Sequence, residues 1–347
     1  MGPIGVAASV AEDVEWLRIE DLSAAGTARR AATRLAEQLA FPPARAAEVG
    51  LALTEIATNL ARHAQAGSVL LRSLRGVGTA VEVVAVDAGP GMDDLARSRR
   101  DGHSSAGTLG IGLGAIHRLA DDVDIASTPG VGTVLVARFD ADRRAPVPAD
   151  STAAGLTRPI TGETVCGDAC WIRHIGDRTL MLLCDGLGHG PQAAAAAQRA
   201  TATARAARAD RVGPEELVSS VHAALSGTRG GAVAVAELDP AAGVVRFCGV
   251  GNVAGAVVTD GRKRGMTSAP GVAGMRARHV RRFEYPLEPT SVVVMHSDGL
   301  TGRWTLDPEL LPRSPTMVAA ALLRDAGIRH DDAGVIVARP HRVAEGS

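Results

Sequence analysis

The sequence predicts two α/β domains in series, and three observations carry that expectation. The chain has 347 residues, more than one hydrophobic core usually organises, so about two cores are expected. Its first half reads as helices followed by strands over 10–140, whereas 160–340 begins with strands, passes through an Ala-rich helix and returns to strands. Between them, 141–150 (ADRRAPVPAD) carries two prolines and few large apolar residues, as a short linker does. The domains are accordingly placed at 10–142 and 150–341.

Composition narrows the function classes. With 46% hydrophobic and 22% charged residues the chain is globular, and with aromatics at 2% its cores must be built from Ala, Val, Leu and Ile. A net charge of -1 gives no overall attraction to nucleic acid or to an anionic membrane. No apolar run approaches the ~18 residues of a membrane span, and Glu12 and Asp13 precede any signal-like hydrophobic segment. A cytoplasmic protein is expected, with no nucleic acid or membrane partner. Cys166, Cys170, Cys184 and Cys248 lack paired CxxC spacing, so reduced structural thiols are expected rather than a zinc ribbon.

In the first half, Pro42 and Pro43 can open a helix, because a first turn lacks amide partners anyway. The helix is expected to run to about Ala64. Val49, Leu53, Ile56 and Leu60 recur at spacings of four, three and four and make one apolar stripe. Glu55, Asn59 and His63 fall on a different face at i, i+4 and i+8. A carboxylate there can deprotonate a nucleophile, and an Asn carbonyl can ligate Mg2+; a solvated helix face is the alternative.

Strands are expected at Val69–Leu71 and Thr79–Val86, the second ending in Asp87-Ala-Gly89-Pro-Gly91-Met92. A carboxylate at a strand end can accept the amino hydrogen of adenine, and glycines let the backbone approach a flat base. Gly107-Thr-Leu-Gly110-Ile-Gly112-Leu-Gly114 then leads into a helix near Leu113–Ala120, so its amides can surround phosphates at a positive helix end. A hairpin turning at Pro129-Gly-Val-Gly132 closes the half.

The second half repeats one motif. Acidic residues stand at the edges of apolar strands in Cys166-Gly-Asp168, Leu182-Leu-Cys-Asp185-Gly186, Met295-His-Ser-Asp298-Gly299 and Asp331-Asp332. Any one Asp-Gly reads equally as a turn. In series, and without a His or Cys cluster, they suit Mg2+ or Mn2+ rather than zinc. Gathering them without a cation would set like charges against one another. Two such ions can activate a water for in-line attack on phosphorus with no nucleophilic side chain.

Taken together, the helix row, the Asp87 corner and the Gly-rich loop resemble the N, G1 and G2 boxes of the GHKL ATPases over nearly all of residues 15–140. Gly112-Leu-Gly-Ala-Ile-His-Arg-Leu-Ala-Asp121 and Ser127-Thr-Pro-Gly-Val-Gly-Thr133 resemble the small anti-sigma and stressosome switch serine kinases of that family. The resemblance implies a Bergerat α/β sandwich that binds ATP with Mg2+. It makes Glu55 the catalytic base and Asn59 the Mg2+ ligand. Asp87 becomes the adenine partner, Gly110, Gly112 and Gly114 the lid, and Gly89, Gly91 and Thr133 further pocket residues.

Over about 155–340, the series Gly167-Asp168, Asp185-Gly-Leu-Gly-His189-Gly190, Gly249-Val-Gly-Asn252, Ser297-Asp-Gly-Leu-Thr301 and Asp331-Asp332 resembles the SpoIIE-type branch of the metal-dependent Ser/Thr protein phosphatases. An α-β-β-α sandwich holding two Mn2+ or Mg2+ ions is implied. By that resemblance Asp185 is the bridging ligand, Gly186 a carbonyl ligand, and Asp168, Asp298 and Asp331 the other carboxylates. Asp332 is the supporting neighbour, and His189 is a candidate proton donor to the leaving serine oxygen, with a turn role as the alternative. One departure is Gly334, where the family usually has Thr, which puts a supporting hydrogen bond in question.

The expected function is a bifunctional regulator of a partner-switching pathway. The phosphatase would act on a phosphorylated STAS-domain anti-sigma antagonist or stressosome protein. A non-catalytic nucleotide-sensing module is the alternative, and oligomeric state is left open.

Overall fold

The computed structural model describes residues 10–76, 78–92, 112–144, 152–208, 212–277, 280–328 and 330–340. The chain divides into two compact units, Met1–Ala149 and Asp150–Ser347.

In the first unit, strands β1 (Val10–Ile19), β2 (Gly67–Arg75), β3 (Thr79–Asp87), β4 (Asp122–Thr128) and β5 (Gly132–Asp140) form one sheet in the order β1-β2-β3-β5-β4. Every pairing is antiparallel. Helices α1 (Ser23–Gln38), α2 (Pro43–His63) and α3 (Gly112–Leu119) share one core with the face of the sheet that carries Val69, Leu71, Val81, Val83, Leu135 and Phe139. The expected stripe on α2 is the buried one, with Val49, Leu53, Ile56 and Leu60 all facing that core.

The unit does not begin with helices as expected: β1 precedes them. Its sequence, VAEDVEWLRI, hides the strand, because most of its side chains are exposed at the sheet edge, and a register shift between Asp13 and Glu15 breaks the alternation. The edge is pinned electrostatically. Arg72 on β2 stands opposite both Asp13 and Glu82 in register, and its guanidinium donates to Asp13 at 2.6 Å and to Glu82 at 2.5 Å.

The second unit is a four-layer α-β-β-α sandwich. Strands β7 (Asp168–Ile175), β8 (Arg178–Gly186), β9 (Gly231–Asp239), β10 (Val244–Val250) and β15 (Phe283–Pro286) make one antiparallel sheet. Strands β6 (Ala153–Arg158), β11 (Ala254–Thr259), β12 (Arg262–Met266), β16 (Val292–His296) and β17 (Ala333–Ala338) make the other. Met181, Leu183, Phe247, Val293, Met295 and Ile336 interdigitate between the sheets. Helices α4 (Pro191–Ala206) and α5 (Pro214–Ala224) cover the first sheet through Ala196, Ala200, Leu217 and Val221. Helix α6 (Pro315–Ala326) packs on β6 and β17. A two-stranded ribbon, β13 (Gly271–Val272) with β14 (Arg276–Ala277), completes the unit.

Small side chains let α4 lie close to the sheet. A Cβ on Gly186 would fall 2.3 Å from the Ala193 carbonyl oxygen, so the end of β8 and the first turn of α4 fit only with glycine there. All four cysteines are free. No helix among the described residues is long and apolar enough to cross a membrane.

Candidate active sites

In the first unit the fold gathers the predicted boxes. The C-terminal end of α2 meets the corner after β3, where Ala88 N donates to Gln65 O at 2.9 Å. Gly89 lies so close that a Cβ on it would stand 3.0 Å from His63 O. Asp87 is buried at the strand end, and its Oδ1 accepts from Gly89 N at 2.7 Å. Thr133 is its register partner on β5. The Thr133 hydroxyl hydrogen-bonds Ser127 Oγ at 2.9 Å, and Ser127 Oγ in turn accepts from Met92 N at 2.8 Å. Gly91 has a positive φ and approaches Thr128 O, so both predicted glycines of this corner are backbone contact points.

Glu55 and Asn59 are half-buried on α2, and His63 is exposed. Gly112 and Gly114 belong to the first turn of α3, which starts two residues inside the loop that the sequence suggested. Gly107 and Gly110 lie outside the described residues. Helix α3, which the Gly-rich run precedes in the sequence, packs against α2.

In the second unit four strand ends carry the carboxylates. Asp168 opens β7 and Asp185 closes β8, and the two are direct register partners. Asp298 follows β16 and lies within hydrogen-bonding reach of Asp185. Asp331 and Asp332 precede β17. Burial, with the charges of Asp168 and Asp298 added, pushes the Asp185 carboxyl up to about 9. Burial likewise lifts Asp168 to about 7, against the lowering effect of its bond from Ser297. Asp331 is also raised, first by desolvation and then by Asp298.

Support around these groups is specific. Asp168 Oδ2 accepts from Ser297 Oγ at 2.6 Å, and that oxygen accepts from Gly334 N at 2.9 Å. At Gly334, where a Thr side chain is missing, the backbone amide still reaches Ser297. A Cβ at 334 would come within 3.1 Å of Asp168 Oδ2 and 2.8 Å of Leu183 Cδ1. Asp332 accepts from Ile160 N at 2.8 Å and Gly167 N at 2.9 Å, tying three segments together behind the carboxylates. Asn252 Nδ2 donates to Asp298 Oδ2 at 2.5 Å. Ser297 and Asn252 went without a role in the sequence reading, although each stands inside a motif it quoted. His189 is exposed, with Nδ1 3.1 Å from Glu163 Oε1, a partner the sequence did not signal.

Among the described residues no three His, Cys, Asp or Glu side chains form a ready metal cage. The donor set still fits a hard cation. Asp168 Oδ1 is buried with no hydrogen-bond partner, and the raised carboxyls mark negative charge that a divalent ion would relieve.

Comparison with known proteins agrees with both halves. Residues 20–139 match the histidine kinase-like ATPase domain family, and residues 175–341 match the stage II sporulation protein E (SpoIIE) family. The serine/threonine-protein kinase RsbT of Bacillus subtilis (strain 168) is 32% identical over 111 residues, which make up 32% of this chain and 84% of RsbT. The chain belongs to the RsbT-like GHKL family and carries a SpoIIE phosphatase domain. Among solved structures, one described as "The bacterial stressosome: a modular system that has been adapted to control secondary messenger signaling" is 29% identical. It covers 54% of this chain and 98% of its own, with a TM-score of 0.48. The phosphatase and partial regulatory domain of SpoIIE from Bacillus subtilis is 13% identical, covering 77% of this chain and 80% of its own at a TM-score of 0.46. One chain thus joins a histidine kinase-like ATPase domain to a SpoIIE domain.

Proposed function

We propose that the SpoIIE domain is a metal-dependent phosphoserine phosphatase acting on a STAS-domain antagonist or stressosome protein. The RsbT-like domain would bind ATP with Mg2+ and phosphorylate serine on such a protein. The observation that carries the reading is the Asp168–Asp185 pair in register across β7 and β8, with Asp298 beside it and Asp168 Oδ1 unsatisfied.

Asp185 and the Gly186 carbonyl, with Asp168, Asp298 and Asp331, would hold two Mn2+ or Mg2+ ions. When bound, those ions supply an acidified water and a charge clamp on phosphoryl oxygens. The chain's own groups do the positioning. Ser297 fixes Asp168, Asn252 fixes Asp298, and Asp332 holds the backbone of Ile160 and Gly167 so that the strand ends keep their spacing. With Nδ1 engaged by Glu163, His189 keeps Nε2 as the atom that gives a proton to the leaving serine oxygen.

In the RsbT-like domain, Glu55 would take the proton of the attacking serine and Asn59 would hold Mg2+. Asp87 would accept the adenine amino group, with Gly89, Gly91 and Thr133 near it, and the Gly-rich run that includes Gly110, Gly112 and Gly114 would supply amides for the phosphates. Kinship with RsbT, a serine/threonine-protein kinase, supports this half. The test is phosphate release from a phosphorylated STAS-domain protein. Turnover that requires Mn2+ or Mg2+ and stops in EDTA is expected, whereas cation-independent turnover, or none, would overturn the reading.

A further inference from the structure

Against the loop that follows Asp185 stands a cation that the proposed chemistry does not yet use. Gly188 follows Asp185 and Gly186 in the loop leading to α4, and a Cβ built on it would lie 3.2 Å from Arg229 Nη1, with nothing else within 4 Å. The guanidinium therefore sits over the loop next to the acidic site. Arg229 is exposed, and among the described residues its side chain makes no ion pair or hydrogen bond. Some basic residues of this unit are committed elsewhere: Arg246 to Glu237 and Asp239, Arg158 to the carbonyls of Leu323 and Ile328, and Lys263 to those of Gly302 and Trp304.

The backbone that carries Arg229 is, by contrast, fixed on both sides. Thr228 Oγ1 donates to Leu225 O at 2.6 Å and accepts from Gly230 N at 3.0 Å. Leu187 N donates to Gly230 O at 3.1 Å, and Gly231 pairs with Gly186 on one side and bridges Ala273 on the other. A rigidly held main chain thus presents an uncommitted guanidinium over the loop that follows Asp185 and Gly186. That is the arrangement expected of a side chain waiting for an anion which arrives with the substrate.

We propose that Arg229 grips the non-bridging phosphoryl oxygens of the phosphoserine substrate. The inference rests on the phosphatase reading of this domain and adds the group that recognises the phosphate itself. In hydrolysis a water oxygen bonds to phosphorus and the P–Oγ bond breaks. Its electron pair goes to the serine oxygen, which takes a proton, leaving serine and inorganic phosphate. Arg229 exchanges no proton or electron in this step; its N–H groups donate to oxygens that carry charge throughout.

The experiment compares the full-length wild-type chain with Arg229→Ala and Arg229→Lys in Mn2+, on p-nitrophenyl phosphate and on a phosphorylated STAS-domain protein. Inhibition by inorganic phosphate is measured alongside. Loss of a hydrogen bond to a charged group predicts a fall in kcat/KM of about 10- to 100-fold for Arg229→Ala on both substrates. The inhibition constant for phosphate should rise in parallel, Lys should recover part of both, and melting should be unchanged because the side chain is exposed and unpartnered. Values within about twofold of wild type on both substrates would overturn the proposal. So would a defect on the phosphoprotein alone with phosphate inhibition unchanged, since that pattern belongs to protein docking. A wild-type chain with no cation-dependent turnover would overturn the phosphatase reading, and this inference with it.

Discussion

Replacing Asp185 by Asn should stabilise the metal-free protein while destroying its response to metal. Unfolded, this carboxyl titrates near the ordinary aspartate value of 3.8, whereas in the metal-free fold burial and the neighbouring Asp168 and Asp298 raise it to about 9. A raised carboxyl contributes stability that is fully present below the unfolded value and is lost as pH climbs toward the folded one. At pH 7 the unfolded chain has released the proton and the folded one has not. The difference of about three pH units, at about 1.4 kcal/mol each, sets an upper bound of about 4 kcal/mol against folding. Asn keeps the shape and removes the ionisation. For a unit of this size each kcal/mol moves the melting temperature by about 2–4 °C. In EDTA at pH 7–8 the Asp185→Asn chain should therefore melt several degrees above wild type, with the difference vanishing near pH 4. Adding Mn2+ should raise wild type and leave the variant where it was. Equal melting in EDTA at pH 8, or an equal Mn2+ response in both chains, would refute the reasoning.

Other expectations follow from particular contacts. Arg72→Met should destabilise the RsbT-like domain by about 3–5 kcal/mol, read by denaturant unfolding, because Asp13 and Glu82 would face each other without their buried cation. Gly186→Ala should cost soluble expression or melting temperature, since the added methyl meets the Ala193 carbonyl at 2.3 Å. Asn59→Ala should weaken Mg-ATP binding by calorimetry, whereas Glu55→Ala should leave binding intact and remove phosphotransfer. If the wild-type chain bound no Mg-ATP, the nucleotide assignment would fall.

Helix α2 was legible because its apolar stripe and its polar row occupy separate faces, and Val49, Leu53, Ile56 and Leu60 are buried as their spacing requires. Asp185, Asp298 and Asp331 were legible because each ends or precedes a run rich in Val, Leu or Ile that reads as a strand. Strand β1 was not, since an edge strand with exposed Glu12 and Glu15 and a register shift carries neither hydrophobic alternation nor a buried run. The supporting shell was hidden for another reason. Ser297, Asn252 and Glu163 act on residues far away in the chain, so the hydroxyl that joins Asp168 to Gly334, or the carboxylate that meets His189, appears only once the strands are paired. The Asp332 contacts to Ile160 and Gly167 are equally long-range.

The central claim is that one chain carries two chemistries opposed on serine. It is tested most directly by mass spectrometry of a STAS-domain protein incubated with ATP, Mg2+ and Mn2+ and each of three chains. Wild type should leave little phosphoserine, Asp185→Asn should let it accumulate, and Asp185→Asn with Glu55→Ala should erase it again. A partner left unmodified by the single variant, though wild type still dephosphorylates it, would contradict the kinase half and leave the first domain an ATP-dependent regulator.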